Sequence, residues 1–132
     1  DELPGRKYIY YAANHGHGLG NYDSLLRSLE AFILSVRGDL PFPDIEWEKE
    51  ETETGFKLTV NSIIKPAKIK FWGATSIKRD FRDSKWYQLK EFKDTKKAEF
   101  TYKKMANTAG FAEIIYSVLG KEYSYFTQIY IK

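Results

Sequence analysis

Lys7-Tyr-Ile-Tyr-Tyr-Ala-Ala-Asn-His-Gly-His-Gly-Leu-Gly-Asn21 decides how the rest of the sequence is read. Lys7 to Ala13 gathers aromatic and β-branched side chains between Pro4-Gly5 and Asn14, which predicts a strand. Gly16, Gly18 and Gly20 then permit positive φ angles, and so a sharp turn holding both histidines, His15 and His17. The Asn21 side-chain oxygen can cap the free amides of a helix start. Beyond it Leu25, Leu26, Leu29, Phe32, Ile33 and Val36 recur on one face at helical spacing, and Gly38 ends the run.

Further along the chain the period changes. Gly38-Asp-Leu-Pro-Phe-Pro43 forbids helix continuation and marks a boundary, with residues 1–40 on one side and 41–132 on the other. Ile45 to Glu50 and Phe56 to Asn61 alternate apolar and polar, with a turn between them. Ala67 to Trp72, Trp86 to Phe92, Ala98 to Tyr102, Phe111 to Leu119 and Tyr123 to Ile131 follow. Leu119-Gly-Lys-Glu122 predicts a tight hairpin. Seven short strands with turn signals and no helix between them predict an antiparallel β-sandwich of immunoglobulin or fibronectin type over 41–132. Trp47, Phe56, Leu58, Val60, Ile69, Phe71, Phe100 and Tyr102 are its expected core.

Composition narrows the function classes. A hydrophobic share of 42%, of which 17% of the chain is aromatic, supports a packed core rather than a disordered segment. The formal charge of +3 is small, and the basic residues alternate with acids, as in Lys90-Glu-Phe-Lys-Asp-Thr-Lys-Lys97. That pattern predicts a solvated surface, not a nucleic-acid stripe. With no cysteine there is no thiolate nucleophile, disulfide or Cys-based zinc site. No apolar run is long enough to span a membrane. No Gly-x-Ser-x-Gly elbow and no phosphate-binding glycine loop ending in Lys-Ser/Thr occurs.

A histidine in the loop after a strand, followed by a helix, is where α/β hydrolases carry the base of a Ser-His-Asp set, in the chain order Ser, acid, His. The nucleophile and acid are then expected upstream, and this chain is expected to be the tail of a larger protein. The sequence resembles, in addition, the PhoPQ-activated pathogenicity-related protein family. The resemblance lies in Leu3-Pro-Gly-Arg-Lys-Tyr-Ile-Tyr-Tyr11, Asn14-His-Gly-His-Gly-Leu19, Leu40-Pro-Phe-Pro-Asp-Ile-Glu-Trp47 and Lys70-Phe-Trp-Gly-Ala-Thr-Ser-Ile-Lys-Arg-Asp-Phe-Arg82 with Trp86 after it. It continues in Gly110-Phe-Ala-Glu-Ile-Ile-Tyr116 and Phe126-Thr-Gln-Ile-Tyr-Ile131, and so spans essentially the whole chain. It implies a secreted, periplasmic or envelope-associated, virulence-associated protein: an α/β-hydrolase-like domain followed by a β-sandwich. Residues 1–40 would be the last strand, histidine loop and last helix of the first, and 41–132 the second.

The resemblance matches His17, not His15, to the family's loop histidine, and so implies His17 as the catalytic base. Imidazole titrates near neutrality, which suits that role; the competing reading is a histidine that caps the turn or packs on Tyr22. His15 and His17 point to opposite faces of an extended stretch and have no third ligand nearby, so neither a metal nor another cofactor is expected. Arg79 and Arg82 could bind an anion through their forks, or could pair internally with Asp80 and Asp83. Trp86 could offer a carbohydrate platform with Tyr87, or lie beneath the Arg loop. Alone, the chain is not expected to be an active hydrolase. The alternative is a non-catalytic sandwich that binds a protein partner or glycan. The helix stripe of Leu25, Leu29, Phe32 and Val36 needs a cover, whether the sandwich, an upstream domain of the same protein or a second copy. Association of some kind is therefore expected.

Overall fold

From Ile45 onward the alternation of apolar and charged side chains forms two antiparallel sheets packed face to face. The computed structural model describes residues 7–15 and 22–132. Among them are one helix, α1 (Tyr22–Arg37), and eight strands: β1 (Ile45–Thr52), β2 (Gly55–Ser62), β3 (Lys68–Ser76), β4 (Tyr87–Lys93), β5 (Lys97–Lys103), β6 (Asn107–Val118), β7 (Lys121–Phe126) and β8 (Tyr130–Ile131). The first sheet runs β1-β2-β5 and the second β4-β3-β6-β7, with β8 also on β6. The chain changes sheet after β2, returns for β5 and crosses again to β6. Edge strands β1, β4 and β5 are rich in Lys and Glu.

The seven predicted strands all form, and the last one divides. β7 pairs Phe126 with Glu113, whereas β8 pairs Tyr130 with Gly110, a shift of one residue. Thr127 sits at the break. Its N–H donates to the Ala112 carbonyl (3.0 Å), and its hydroxyl oxygen, not a backbone carbonyl, accepts from the Ala112 N–H (2.9 Å). The predicted hairpin is present, with Val118 opposite Lys121 and positive φ at Leu119 (51°) and Gly120 (78°).

Phe56, Leu58, Val60, Ile69, Phe71 and Tyr102 form the expected core, joined by Ala112 and Ile114 of β6. Phe100 is only partly buried. Trp47 lies on an edge strand and stays 37% exposed, its indole N–H donating to the Tyr130 hydroxyl (3.1 Å). The Tyr102 ring stacks on Phe56 at 4.6 Å, and its hydroxyl is shared between the carbonyls of Trp72 (3.1 Å) and Phe111 (3.0 Å). That ring fits only because residue 110 has no side chain: a Cβ there would lie 2.2 Å from the ring.

The strand expected over Lys7–Ala13, with its neighbours expected upstream, has no pairing partner among the described residues of this chain. Residues 7–12 make no strand: no other strand lies alongside them among the described residues, and a strand cannot form without a bonding neighbour. Their tyrosines dock sideways instead, Tyr8 on Phe42 (5.4 Å) and Tyr125 (5.5 Å), and Tyr10 on Phe126 (5.3 Å). The helix forms where predicted, and Gly38 (φ 83°) closes it by a Schellman pair, Asp39 N–H to Leu34 O (2.9 Å) and Gly38 N–H to Ser35 O (3.1 Å). The Asn21 cap and the glycine turn lie outside the described residues. Of the apolar stripe, Leu25 is half-buried and Phe32 meets Tyr8 and Phe42 edge-on (6.1 Å each), while Leu29 and Val36 stay exposed.

Ala31 and Ser35 are buried and Ser24 and Ser28 half-buried, all on one side of α1, against β7 and the inward Tyr123 and Tyr125. Ser28 donates to the Ser124 carbonyl (3.3 Å), and Glu30 pairs with Lys121 (2.9 Å). Small side chains let the helix lie close to the sheet. The opposite face, with Leu26 (57%), Leu29 (50%), Ile33 (49%) and Val36 (63%), is exposed.

Gly110→Ala is expected to force a methyl into the Tyr102 ring and to cost about 1–3 kcal/mol in chemical denaturation. A cost near zero would show that the ring can move aside. Stability is also expected to fall above pH 10. Burial pushes the Tyr116 phenol up to about 12, and raises Tyr102, Tyr125 and Tyr11 as well. The unfolded chain therefore loses these protons first as pH rises, and the native state is disfavoured progressively from pH 10 towards 12. Urea midpoints recorded across that range check it.

Candidate functional site

The outer face of the second sheet, which sequence alternation would leave to solvent, carries an aromatic cluster. Phe111 of β6 stands opposite Trp72 of β3 and is only 1% exposed. Its ring packs against Tyr11 (5.1 Å), Trp86 (5.1 Å), Phe126 (6.0 Å) and Trp72 (6.4 Å). On the same face the Glu113 carboxylate accepts from Trp72 Nε1 (2.9 Å) and the Ser124 hydroxyl (2.7 Å). Burial raises the Tyr11 phenol, partly offset by a hydrogen bond to the Ile129 backbone. The segment that leads to the histidines is thus seated on the sandwich by its aromatic rings.

After Tyr11 the chain turns, His15 N–H donating to the Ala12 carbonyl (3.2 Å), with Asn14 at φ 62°. Asparagine tolerates this left-handed conformation better than most side chains. Its carboxamide meets both backbone groups of Trp86: Nδ2 donates to the carbonyl (2.8 Å), and Oδ1 accepts from the N–H (2.7 Å). Trp86 ends the loop between β3 and β4. Within that loop Arg82 donates through its backbone N–H (3.1 Å) and its guanidinium Nε (3.0 Å) to Asp80, which holds that carboxyl at about 2. Phe81 leans on Trp86 at 6.3 Å.

Between the turn and this loop lies a broad open cleft of about 1030 Å³, lined by Asn14, His15, Arg79, Asp83, Trp86 and Phe111 among others. Arg79, Arg82 and Trp86, singled out from sequence, therefore share one lip, and His15 stands on the other. Arg82 is occupied by Asp80, while Arg79 forms no ion pair among the described residues. Trp86 is half-buried against Phe81 and Phe111, so it is no flat exposed platform. His17 lies outside the described residues. Sequence reasoning gave Asn14, Tyr11 and Phe111 no place in a site. A turn-forming Asn at the end of the Lys7–Ala13 run was the available signal for Asn14. Among the described residues no group of three His, Asp or Glu is gathered as a metal would require, and no helix is long and apolar enough to cross a membrane.

These features define a β-sandwich module to which a histidine-bearing segment and one amphipathic helix are fastened. The model of the PhoPQ-activated pathogenicity-related protein family matches residues 1–82, more than half of the chain, and the chain belongs to that family. The matched region runs from the histidine segment through Arg82, so it takes in the turn and most of the opposing loop. No curated protein and no solved structure matches the chain.

Phe111→Ala is expected to cost about 3–5 kcal/mol, as for other fully buried aromatic truncations. Because Trp72 and Trp86 both lose a packing partner, their fluorescence should shift to the red in the folded variant. An unshifted spectrum would mean that the cluster is not held by this ring.

Proposed function

We propose that this chain is the C-terminal part of a secreted or envelope-associated protein whose upstream domain is α/β-hydrolase-like. In this reading His17 is the general base of a Ser-His-Asp site, and the immunoglobulin-like sandwich packs against the catalytic domain. One observation carries it. α1 packs on the sandwich by its small residues, while Leu26, Leu29, Ile33 and Val36 face away from it. A helix apolar on the side away from its own domain is built to lie between two layers, and a hydrolase-like sheet would be the second.

The chemistry follows from the residue types. The upstream serine would attack an acyl carbonyl, His17 would take the hydroxyl proton and return it to the leaving group, and the upstream acid would orient the imidazole. The sandwich would supply one lip of the substrate cleft, where Arg79 and Lys85 are lining cations with no ion pair among the described residues, open to an anionic substituent. The chain alone would lack a nucleophile and would be inactive.

A second reading has its own support. The cleft between His15 and the Arg79–Trp86 loop lies on this chain alone, so the sandwich could bind a glycan or protein partner without catalysis. The full-length protein separates the two readings. With p-nitrophenyl esters of short acyl chains, His17→Ala should lower kcat by about four orders of magnitude, and His15→Ala should change it little. Leu29→Asp combined with Val36→Asp should loosen the upstream domain and speed proteolysis between the two parts. Full-length protein with no His17-dependent turnover, but with glycan or protein binding lost in Arg79→Ala and Trp86→Ala, would support the binding module instead.

A further inference from the structure

Asn14 and Trp86 are 72 positions apart in sequence, yet one side chain satisfies both backbone groups of the other residue. The carboxamide does here what a neighbouring strand would do, matching a donor to the carbonyl and an acceptor to the N–H. One such bond would leave the two segments free to pivot; two fix orientation as well as separation. The anchor is itself fixed, since Trp86 packs on Phe111 and Phe81 and the next residue opens β4. Asn14 is also the residue at which the chain takes its positive φ, so conformation and bonding are set at one position. Among the described residues no other polar side chain of the facing loop is seen to reach across in this way, and Arg82 turns back on Asp80.

We infer that Asn14 is a positioning residue that latches residues 7–15, the stretch from which the chain continues to His17, to the sandwich. The sandwich is then part of the site, because it sets where Asn14 and His15 stand relative to the lip at 79–86. This rests on the reading of His17 as a base. It adds that the hydrolase-like domain does not place that base alone. A displacement of about 1 Å in a catalytic group can cost about a hundred-fold in rate, and releasing a two-point latch allows motion of that size.

The test uses the full-length protein and p-nitrophenyl acetate. Asn14→Gly keeps the positive φ and removes both bonds; Asn14→Asp keeps the acceptor and loses the donor. We expect Asn14→Gly to lower kcat by about a hundred-fold with KM changed less than about two-fold. Asn14→Asp should fall between it and the parent, and the melting temperature of both should stay close to the parent value. Hydrogen exchange read by mass spectrometry should show peptides covering 7–15 and 84–90 exchanging faster together in Asn14→Gly. Unchanged kcat, unchanged exchange at those two peptides, or kcat falling only in step with the melting temperature would overturn the proposal. A parent protein with no His17-dependent turnover would overturn the base assignment, and the exchange result alone would then decide the latch.

Discussion

The Phe111 ring is where the parts of this molecule meet. It sits on the outer face of a central strand, a position that alternation assigns to solvent, and it is covered from three directions. Tyr11 comes from the N-terminal segment, Trp86 from the β3–β4 loop, and Trp72 and Phe126 from the flanking strands. Its backbone carbonyl faces the other way and receives the Tyr102 hydroxyl from within the sandwich. One residue thus ties the core to the surface layer. The cleft, the Asn14 bonds and the loop geometry all rest on that platform.

The helix obeys a different constraint. In a domain that stands by itself, the apolar stripe of a surface helix and its packed face coincide, because burial of that stripe holds the helix in place. In α1 they diverge: Leu25 and Phe32 flank the packed side, where Phe32 meets Tyr8 and Phe42, but Leu26, Leu29, Ile33 and Val36 point away. Ser24, Ser28, Ala31 and Ser35 allow close approach to β7, and fixation comes from polar contacts such as Ser28 to Ser124 and Glu30 to Lys121. Leu26, Leu29, Ile33 and Val36 stay exposed among the described residues and add no burial to that contact.

Much of this was legible in the sequence. Strand positions followed from alternation, the helix from its period and Gly38, and the tight turn from Leu119-Gly120. Which side of the helix packs was not legible, since periodicity locates an apolar stripe but does not say which layer will cover it. The strand expected over Lys7–Ala13 finds no partner among the described residues for a related reason: aromatic and β-branched content suits a strand, but pairing needs a neighbour. In the site, Arg79, Arg82 and Trp86 could be picked out by residue type. The Asn14–Trp86 bonds could not, because they depend on a fold that brings together residues 72 positions apart.

The charged edges of the sheets bear on how the molecule behaves in company. β1 carries Glu46, Glu48 and Glu50, β4 carries Lys90, Glu91 and Lys93, and β5 carries Lys97, Glu99 and Lys103. Side chains of this kind deter an incoming strand from extending the ladder, a common protection against amyloid-like stacking. Self-recognition along the sheets is thereby discouraged, while the leucine face of α1 has no such guard. That apolar face belongs to a helix, whose backbone is already satisfied and cannot template a growing fibre.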